Sequence, residues 1–456
     1  MSTSTQGRGK GRGQARDRGG DSGGAGARGG APGARRRHPS GRTPPAPAGR
    51  SGLYVALAFL MTVFNLLGLV MVMSASSVVA LDEHGSSWYF VLRQAAWAAA
   101  GVIALVVIAR IDYHRWRRFA APFLLVSLVL LTVVFVPGVG VGANGATRWI
   151  GVGSLTVQPS ELAKLSVLIW VADLLSRRAA YMHNTRATLR PVIVVLAVVA
   201  TLVMLQPNLG TTLVIAAIAL TLCFVAGTPA LPLAGWATFG LSAAVGLALA
   251  APYRRDRVLT FLDPWADPMD TGYQNIQSLV GIASGGFFGS GLGASRAKWG
   301  YLPYAHSDFI FAIIGEELGL VGATVVVGLF VLLAIIGVRI ALHAPDRFGL
   351  LLAMGVTAWF CVQAFVNIGA VIGILPITGV PLPFVSAGGS SLVFGMAAAG
   401  LLLSVARQAT VRSLPAHPPA TGSTSRSRAG RSGGKPARGG STRSGGKSAR
   451  GDRGDR

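Results

Sequence analysis

Ten separate stretches of this chain are apolar for close to the length that a membrane crossing requires, which leaves few folds open to it. A crossing takes roughly 20 mostly apolar residues, because about 30 Å of hydrocarbon must be covered at ~1.5 Å per helical residue. The stretches run over 53–74, 88–109, 119–137, 161–176, 191–206, 210–227, 232–252, 309–338, 350–373 and 388–406. Backbone N–H and C=O groups have no partner in hydrocarbon, so such stretches pair their own groups as helices. The expected class is an all-α polytopic membrane protein with about ten transmembrane helices. The fourth stretch is the weakest by length. The fifth and sixth are parted only by Gln206-Pro207-Asn208-Leu209-Gly210, which reads as a tight hairpin.

The formal charge of +24 at first suggests a nucleic-acid partner. Most of it lies at the two ends. Residues 1–50 hold eleven Lys/Arg against two Asp, and 407–456 hold twelve against two. Both ends are rich in Gly, Ser, Arg and Pro with almost no large apolar residue, a composition that stays disordered. No folded basic module accompanies them, so nucleic acid is not expected as a partner. Membrane lipids of the anionic cytoplasmic leaflet are the expected partner, with acidic proteins as the alternative. The organisation is therefore a basic tail over 1–52, a transmembrane domain over 53–406 and a second basic tail over 407–456. The first apolar stretch begins too late for a secretory signal peptide. Cys223 and Cys361, the only cysteines, lie in apolar stretches and offer neither a disulfide framework nor a metal site. No repeat of 20–50 residues is evident.

Cations set the orientation. Arg110, Arg115, Arg117 and Arg118 follow the second stretch, Arg177, Arg178, Arg186 and Arg190 the fourth, and Arg339 and Arg347 the eighth. The connections after the first, third and ninth hold one cation, Arg148. Cytoplasmic loops carry the excess of Lys and Arg, so both termini are expected in the cytoplasm. With ten crossings, the long polar loop 253–308 is then extracellular. Yet it carries Arg254, Arg255, Arg257, Arg296 and Lys298. Topology does not explain cations on that side, and an anionic ligand at the outer surface does.

Asp308 closes this loop where the eighth stretch begins. A partly desolvated carboxylate there has its pKa raised toward the range of a general base. The competing reading is a helix N-cap, since Ser307-Asp308 before Phe309 is a good helix start. Glu316 and Glu317 would lie about 12 Å deeper, too far to pair with Asp308 and suited to an Arg from another helix. The run Gly285 to Arg296 is dense in glycine and leads into Lys298, so its backbone N–H groups could cradle a diphosphate; a flexible re-entrant loop is the alternative. Arg148, Trp149 and Lys164 flank a short element after the third stretch. Ser160 with Lys164 would be a nucleophile pair only with a third supporting group, and none is evident. The uncharged Pro/Gly-rich turn 373–391, with Ser386, Gly388, Gly389 and Ser390, reads as the far wall of the same site. Asp263, Asp267 and Asp270 could hold a divalent cation, Mg or Mn, the one cofactor suggested; salt bridges to Arg254, Arg255 and Arg257 are the alternative.

Three of these pieces, in order, resemble the SEDS family of bacterial cell-wall proteins (FtsW, RodA, SpoVE). They are Tyr301-Leu302-Pro303 through Asp308 to Gly319, Gln158 to Lys164, and Pro381 to Ser391. The resemblance runs over nearly all of 53–407. It implies a ten-helix peptidoglycan glycosyltransferase that polymerises lipid II at the outer face of the cytoplasmic membrane. It makes the aspartate matching Asp308 the essential catalytic residue. Its implied partner is a class B penicillin-binding protein, a transpeptidase. Leu67 to Ser77, Phe261 to Pro268 and Ser386 to Gly389 look more like the division branch, in its actinobacterial form, which implies septal enrichment and other divisome partners. Three positions depart from the family pattern: Asn208 for an aspartate, Tyr304 for a frequent Glu and Ala387 for a frequent Tyr. An elongation polymerase, a lipid II flippase and a non-catalytic division scaffold are the rival readings. A flippase needs polar groups continuous across the bilayer, whereas these cluster at one face.

Overall fold

The computed structural model describes residues 52–409 except 144–145, 153–154, 183 and 251, and not the side chains of 143, 146, 152, 155, 248, 252–254 and 258. The two basic tails therefore lie outside the described residues, as does the Arg254 side chain.

Among the described residues, ten long helices follow the ten apolar stretches. They are α1 (Gly52–His84), α2 (Tyr89–Arg110), α3 (Trp116–Val133), α4 (Pro159–Arg177), α5 (Thr185–Leu205), α6 (Leu209–Val225) and α7 (Ala230–Ala250). Two shorter helices, α8 (Pro252–Leu262) and α9 (Tyr273–Ser284), fill the long loop. Then come α10 (Ile310–Leu342), α11 (Arg347–Val371) and α12 (Gly389–Gln408). Among the described residues, eight helices are long and apolar enough to cross a membrane on length and composition alone. Two of the ten fall short of that standard. α6 has 17 residues, and α4 carries Glu161, Lys164, Asp173 and Arg177.

The burial pattern explains why α4 tolerates those charges. Fifteen of its nineteen residues are buried, on every side of the helix. α11 and α12 are the other central helices, with 67% and 78% of their most apolar windows buried, whereas α7 has 6% and turns its apolar surface outward. Lipid is as apolar as Leu, so contact between helices relies on close packing of small residues. At the α2–α12 crossing, a Cβ on Gly400 would come within 2.8 Å of the Leu105 carbonyl oxygen.

Two features depart from the expected architecture. The element after α3 is a small antiparallel sheet of β1 (Gly140–Ala143), β2 (Ala146–Val152) and β3 (Leu155–Val157), in that order. Gly140 pairs with Ile150, and Ile150 with Val157. Its Val, Ile, Thr and Trp residues favour a pleated surface over a helix.

The second concerns α10. Its regular backbone breaks at Gly319, where φ is +68° and ψ −166°. The groups freed by this break are met by the Gly-rich segment. Leu320 N donates to Gly286 O (2.9 Å), Ser290 N to Glu316 O (2.9 Å) and Gly291 N to Glu317 O (3.0 Å). Segment 285–298 thus doubles back against the first turns of α10. Its glycines permit that approach, for a Cβ on Gly289 would lie 2.1 Å from the Glu317 carbonyl oxygen.

Candidate active site

A cleft of about 350 Å³ opens where the starts of α2 and α12 meet β2, α8 and the segment ahead of α10. Asp308 lines it, half-buried, and is its only carboxylate. Phe309 takes the N-cap position of α10 and no side chain caps that helix, so the capping role open to Asp308 is not the one it fills. Burial pushes its carboxyl up to about 6, against the opposing pull of Arg257 and Arg148.

The backbone around Asp308 is held from two directions. Asn367 Nδ2, on α11, donates to both the Asp308 and Val380 carbonyls at 2.8 Å. Ala387 N donates to His306 O at 3.0 Å. Asp308 is thereby tied to the turn 377–391, which forms the opposite wall. Gln363, one turn before Asn367 on α11, braces the same turn by donating to Pro381 O (2.9 Å). Gly389 is needed for shape, because a Cβ there would meet Trp97 Nε1 at 2.5 Å.

The residues singled out in the sequence divide into two groups. Arg148, Trp149, Arg257, Gly388, Gly389 and Ser390 line the cleft with Asp308. Arg148, on β2, also fastens the sheet to the α5–α6 hairpin, donating to Gln206 O (3.1 Å) and Pro207 O (2.6 Å). Asn208 keeps a structural role in that hairpin by capping α6 through Thr211 N (3.2 Å). Arg257 donates to Ile377 O (3.1 Å).

The remaining residues stand elsewhere. Lys164 is 1% exposed, paired with Glu161 at 2.8 Å and bonded to Gln363 Oε1 at 2.7 Å, so it is an interior strut with no reach into the cleft. Ser386 is buried and closes its turn by accepting from Leu382 N (2.8 Å). Arg255 is exposed on α8 and does not line the cleft.

The Gly-rich segment does cradle anions, but they are the chain's own. Arg296 N and Ser295 Oγ donate to the Glu316 carboxylate at 2.7 and 2.5 Å. Ser74 Oγ donates to Glu317 at 2.6 Å, and Lys298, 5% exposed, pairs with Glu317 at 3.8 Å. These partners replace the arginine expected for the two glutamates and hold Lys298 away from the cleft, while the exposed Arg296 side chain does not line it. Asp263 and Asp267 spend their oxygens on turn N–H groups of Trp265, Asp270 and Thr271. Among the described residues no three His, Cys, Asp or Glu side chains gather in a way that suits a metal ion.

Other residues lining the cleft carried no clear signal. Arg93 and Gln94 reach it from the first turns of α2, and their polarity inside an apolar stretch was the available clue. His306 packs on Phe90 with ring centroids 4.9 Å apart. Burial holds its imidazole below the usual range, with Glu83 opposing.

The molecule is thus a polytopic helical membrane protein with a polar cleft at the ends of its helices, lined by a single carboxylate. The chain belongs to the FtsW/RodA/SpoVE family of cell cycle proteins, whose model matches residues 54–411. It is 42% identical over 349 residues to the probable peptidoglycan glycosyltransferase FtsW of Geobacter metallireducens, covering 76% of this chain and 92% of that one. It is 42% identical over 355 residues to the stage V sporulation protein E of Bacillus subtilis (78% and 96% covered). With the probable FtsW of Mycobacterium tuberculosis it shares 44% over 356 residues (78% and 67% covered). Among solved structures, it resembles a chain of a peptidoglycan synthase complex that coordinates polymerization and crosslinking, with TM-score 0.64, 32% identity and 77% and 97% covered. RodA of Thermus thermophilus follows at TM-score 0.57, 29% identity and 77% and 96% covered.

Proposed function

We propose that this protein is a peptidoglycan glycosyltransferase that polymerises lipid II in the cleft around Asp308. The observation that carries this reading is the cleft itself. Its one carboxylate has a pKa raised toward neutrality and stands within the electrostatic reach of two arginines. In the proposed reaction, Asp308 takes the proton from the acceptor sugar hydroxyl as that oxygen bonds to the donor's anomeric carbon. The bond from that carbon to the diphosphate oxygen breaks, and undecaprenyl diphosphate leaves with the electron pair. Arg148 and Arg257 offset its developing charge. Trp149, Gly388, Gly389 and Ser390 shape the walls. Asp308 would be the one carboxylate offered to a divalent cation, and no step is assigned to such an ion.

The cleft faces outward and both termini are cytoplasmic, by the positive-inside distribution. The names of the relatives favour septal synthesis at division. The solved synthase complex supports a class B penicillin-binding transpeptidase as partner. A flippase gains little support, because the interior acids are committed locally. Asp173 is held by Arg117 (3.0 Å) and Arg177 (2.9 Å), and Glu316 and Glu317 by the Gly-rich segment.

The test is polymerisation of labelled lipid II by the purified protein with its cognate transpeptidase, with penicillin present to silence crosslinking. Wild type is expected to give a glycan ladder and Asp308→Ala none, with the mutant still folded and assembled. Appreciable polymer from Asp308→Ala would remove the base assignment. No ladder from an assembled wild-type pair that binds lipid II would move the flippase and scaffold readings ahead.

A further inference from the structure

At the opposite ends of α2 and α12 from the cleft lies a separate cavity of about 270 Å³, where the start of α1 meets them. Tyr54, Leu105, Val106, Ala109, Arg110 and Arg407 line it. Two guanidinium groups from different helices therefore converge on one space. Each closes its own helix, where a cation suits the helix dipole. That accounts for a cation at each end but not for two at one cavity, and it leaves their N–H donors unused. Among the described residues, the guanidinium of neither Arg110 nor Arg407 makes a hydrogen bond or ion pair. The carboxylate nearest in sequence, Asp112, is taken up by His114 N (2.9 Å) and Gln408 Nε2 (3.2 Å). The chain on either side is itself strongly cationic, since 1–50 and 407–456 hold eleven and twelve cations against two Asp each.

We propose that this cavity binds the phosphate headgroup of an anionic glycerophospholipid, with Arg110 and Arg407 as its donors. Arginine's planar fork matches phosphate oxygens bidentately, and its weak hydration suits a site at a membrane boundary. Besides Tyr54, the remaining walls, Leu105, Val106 and Ala109, are apolar. The exposed Val102, Ile103, Val106 and Val107 continue that surface along α2, a track for the acyl chains. A soluble acidic peptide would use the cations but not this apolar track. Basic pockets between transmembrane helices on the cation-rich side are a recurring way to hold such lipids.

The test uses the full-length protein, delipidated in detergent and titrated with phosphatidylglycerol or phosphatidylcholine, with bound lipids counted by native mass spectrometry. Wild type is expected to retain one phosphatidylglycerol per chain, with roughly tenfold or greater preference over phosphatidylcholine. The double variant R110Q/R407Q is expected to lose that preference, and so is Val106→Trp, which fills the cavity and leaves every charge in place. The second variant also guards against misfolding of the first. Equal retention of the two lipids by wild type, or a preference that survives either variant, would overturn the proposal and assign the effect to the basic tails. Displacement of the lipid by inorganic phosphate alone would overturn its lipid part, leaving a simple anion site.

Discussion

At the scale of single residues, the proposed chemistry rests on how one carboxylate is surrounded. Asp308 has its carboxyl held at about 6 because burial disfavours its charged form more than Arg257 and Arg148 favour it. A base must be ionised to act, so the polymerisation rate at low substrate is expected to rise with pH through about 6 and level off above it. The same shift acts on stability with the opposite sign. A carboxyl whose folded pKa lies above its ordinary 3.8 is easier to ionise in the unfolded chain, so folding loses stability as pH rises from that value through about 6. Asp308→Asn should therefore abolish the glycan ladder yet melt no lower than wild type at pH 7.5. A gain on the order of 1 kcal/mol is expected for a half-buried group. Melting in detergent at pH 4 and 7.5 checks this, with the gain confined to the higher pH.

Lys164 calls for the contrary result. It is enclosed with Glu161 and Gln363, so Lys164→Met leaves a buried Glu161 unpaired and should cost roughly 3–5 kcal/mol. The double change E161Q/K164M should restore most of that loss. If Lys164 instead served the substrate, the single change would depress activity without the thermal loss. A cation three residues after a glutamate on one helix reads the same in sequence whether it pairs inward or faces a ligand. Only the packing of α3, α6, α11 and α12 around α4 settles the matter. The ambiguity at Asp308 was of the same kind, and Phe309, in the cap position, resolves it.

At the scale of elements, α10 and the Gly-rich segment form one unit. Gly319 adopts a backbone conformation open essentially only to glycine, and a Cβ there would lie 2.3 Å from Gly289 N. Gly319→Ala should destabilise the protein by at least about 1–3 kcal/mol from backbone strain alone. Gly328→Ala, on the same helix with nothing within 4 Å of its Cβ, is the control and should be neutral or stabilising. Equal melting temperatures for the two would remove the claim that the break in α10 is built in. The positions of the apolar stretches predicted the helices well, because length and hydropathy are local properties. The doubling back of 285–298 was open only as an alternative. Its glycines suit an external anion and a pair of internal glutamates equally well, and Glu316 and Glu317 stand some twenty residues further along the chain.

At the scale of the whole molecule, the cleft lies at one end of α2 and α12, and the paired arginines lie at the other. The residues proposed for catalysis sit within the described residues, so a chain cut to 52–409 is expected still to polymerise lipid II in vitro with the proposed transpeptidase. If the tails dock the protein at the proposed septal location, the cut chain should localise there less than the full one. Loss of polymerisation by a folded truncated protein would instead make the tails part of the enzyme. What the sequence by itself determined was the helical membrane class, the positions of the long helices and Asp308 as the carboxylate of the candidate site. Each of these follows from hydrophobic length or from the cost of a charge at a membrane edge. Which cations serve the cleft was decided only by the tertiary structure. Arg148 and Arg257 come to Asp308 from positions 160 and 51 residues away in the chain, while Lys298, ten residues away, pairs with Glu317, and Arg296, twelve away, gives Glu316 only its backbone N–H and leaves its side chain exposed outside the cleft. A charge pairs with whatever the packed helices bring beside it, and nearness along the chain does not fix that.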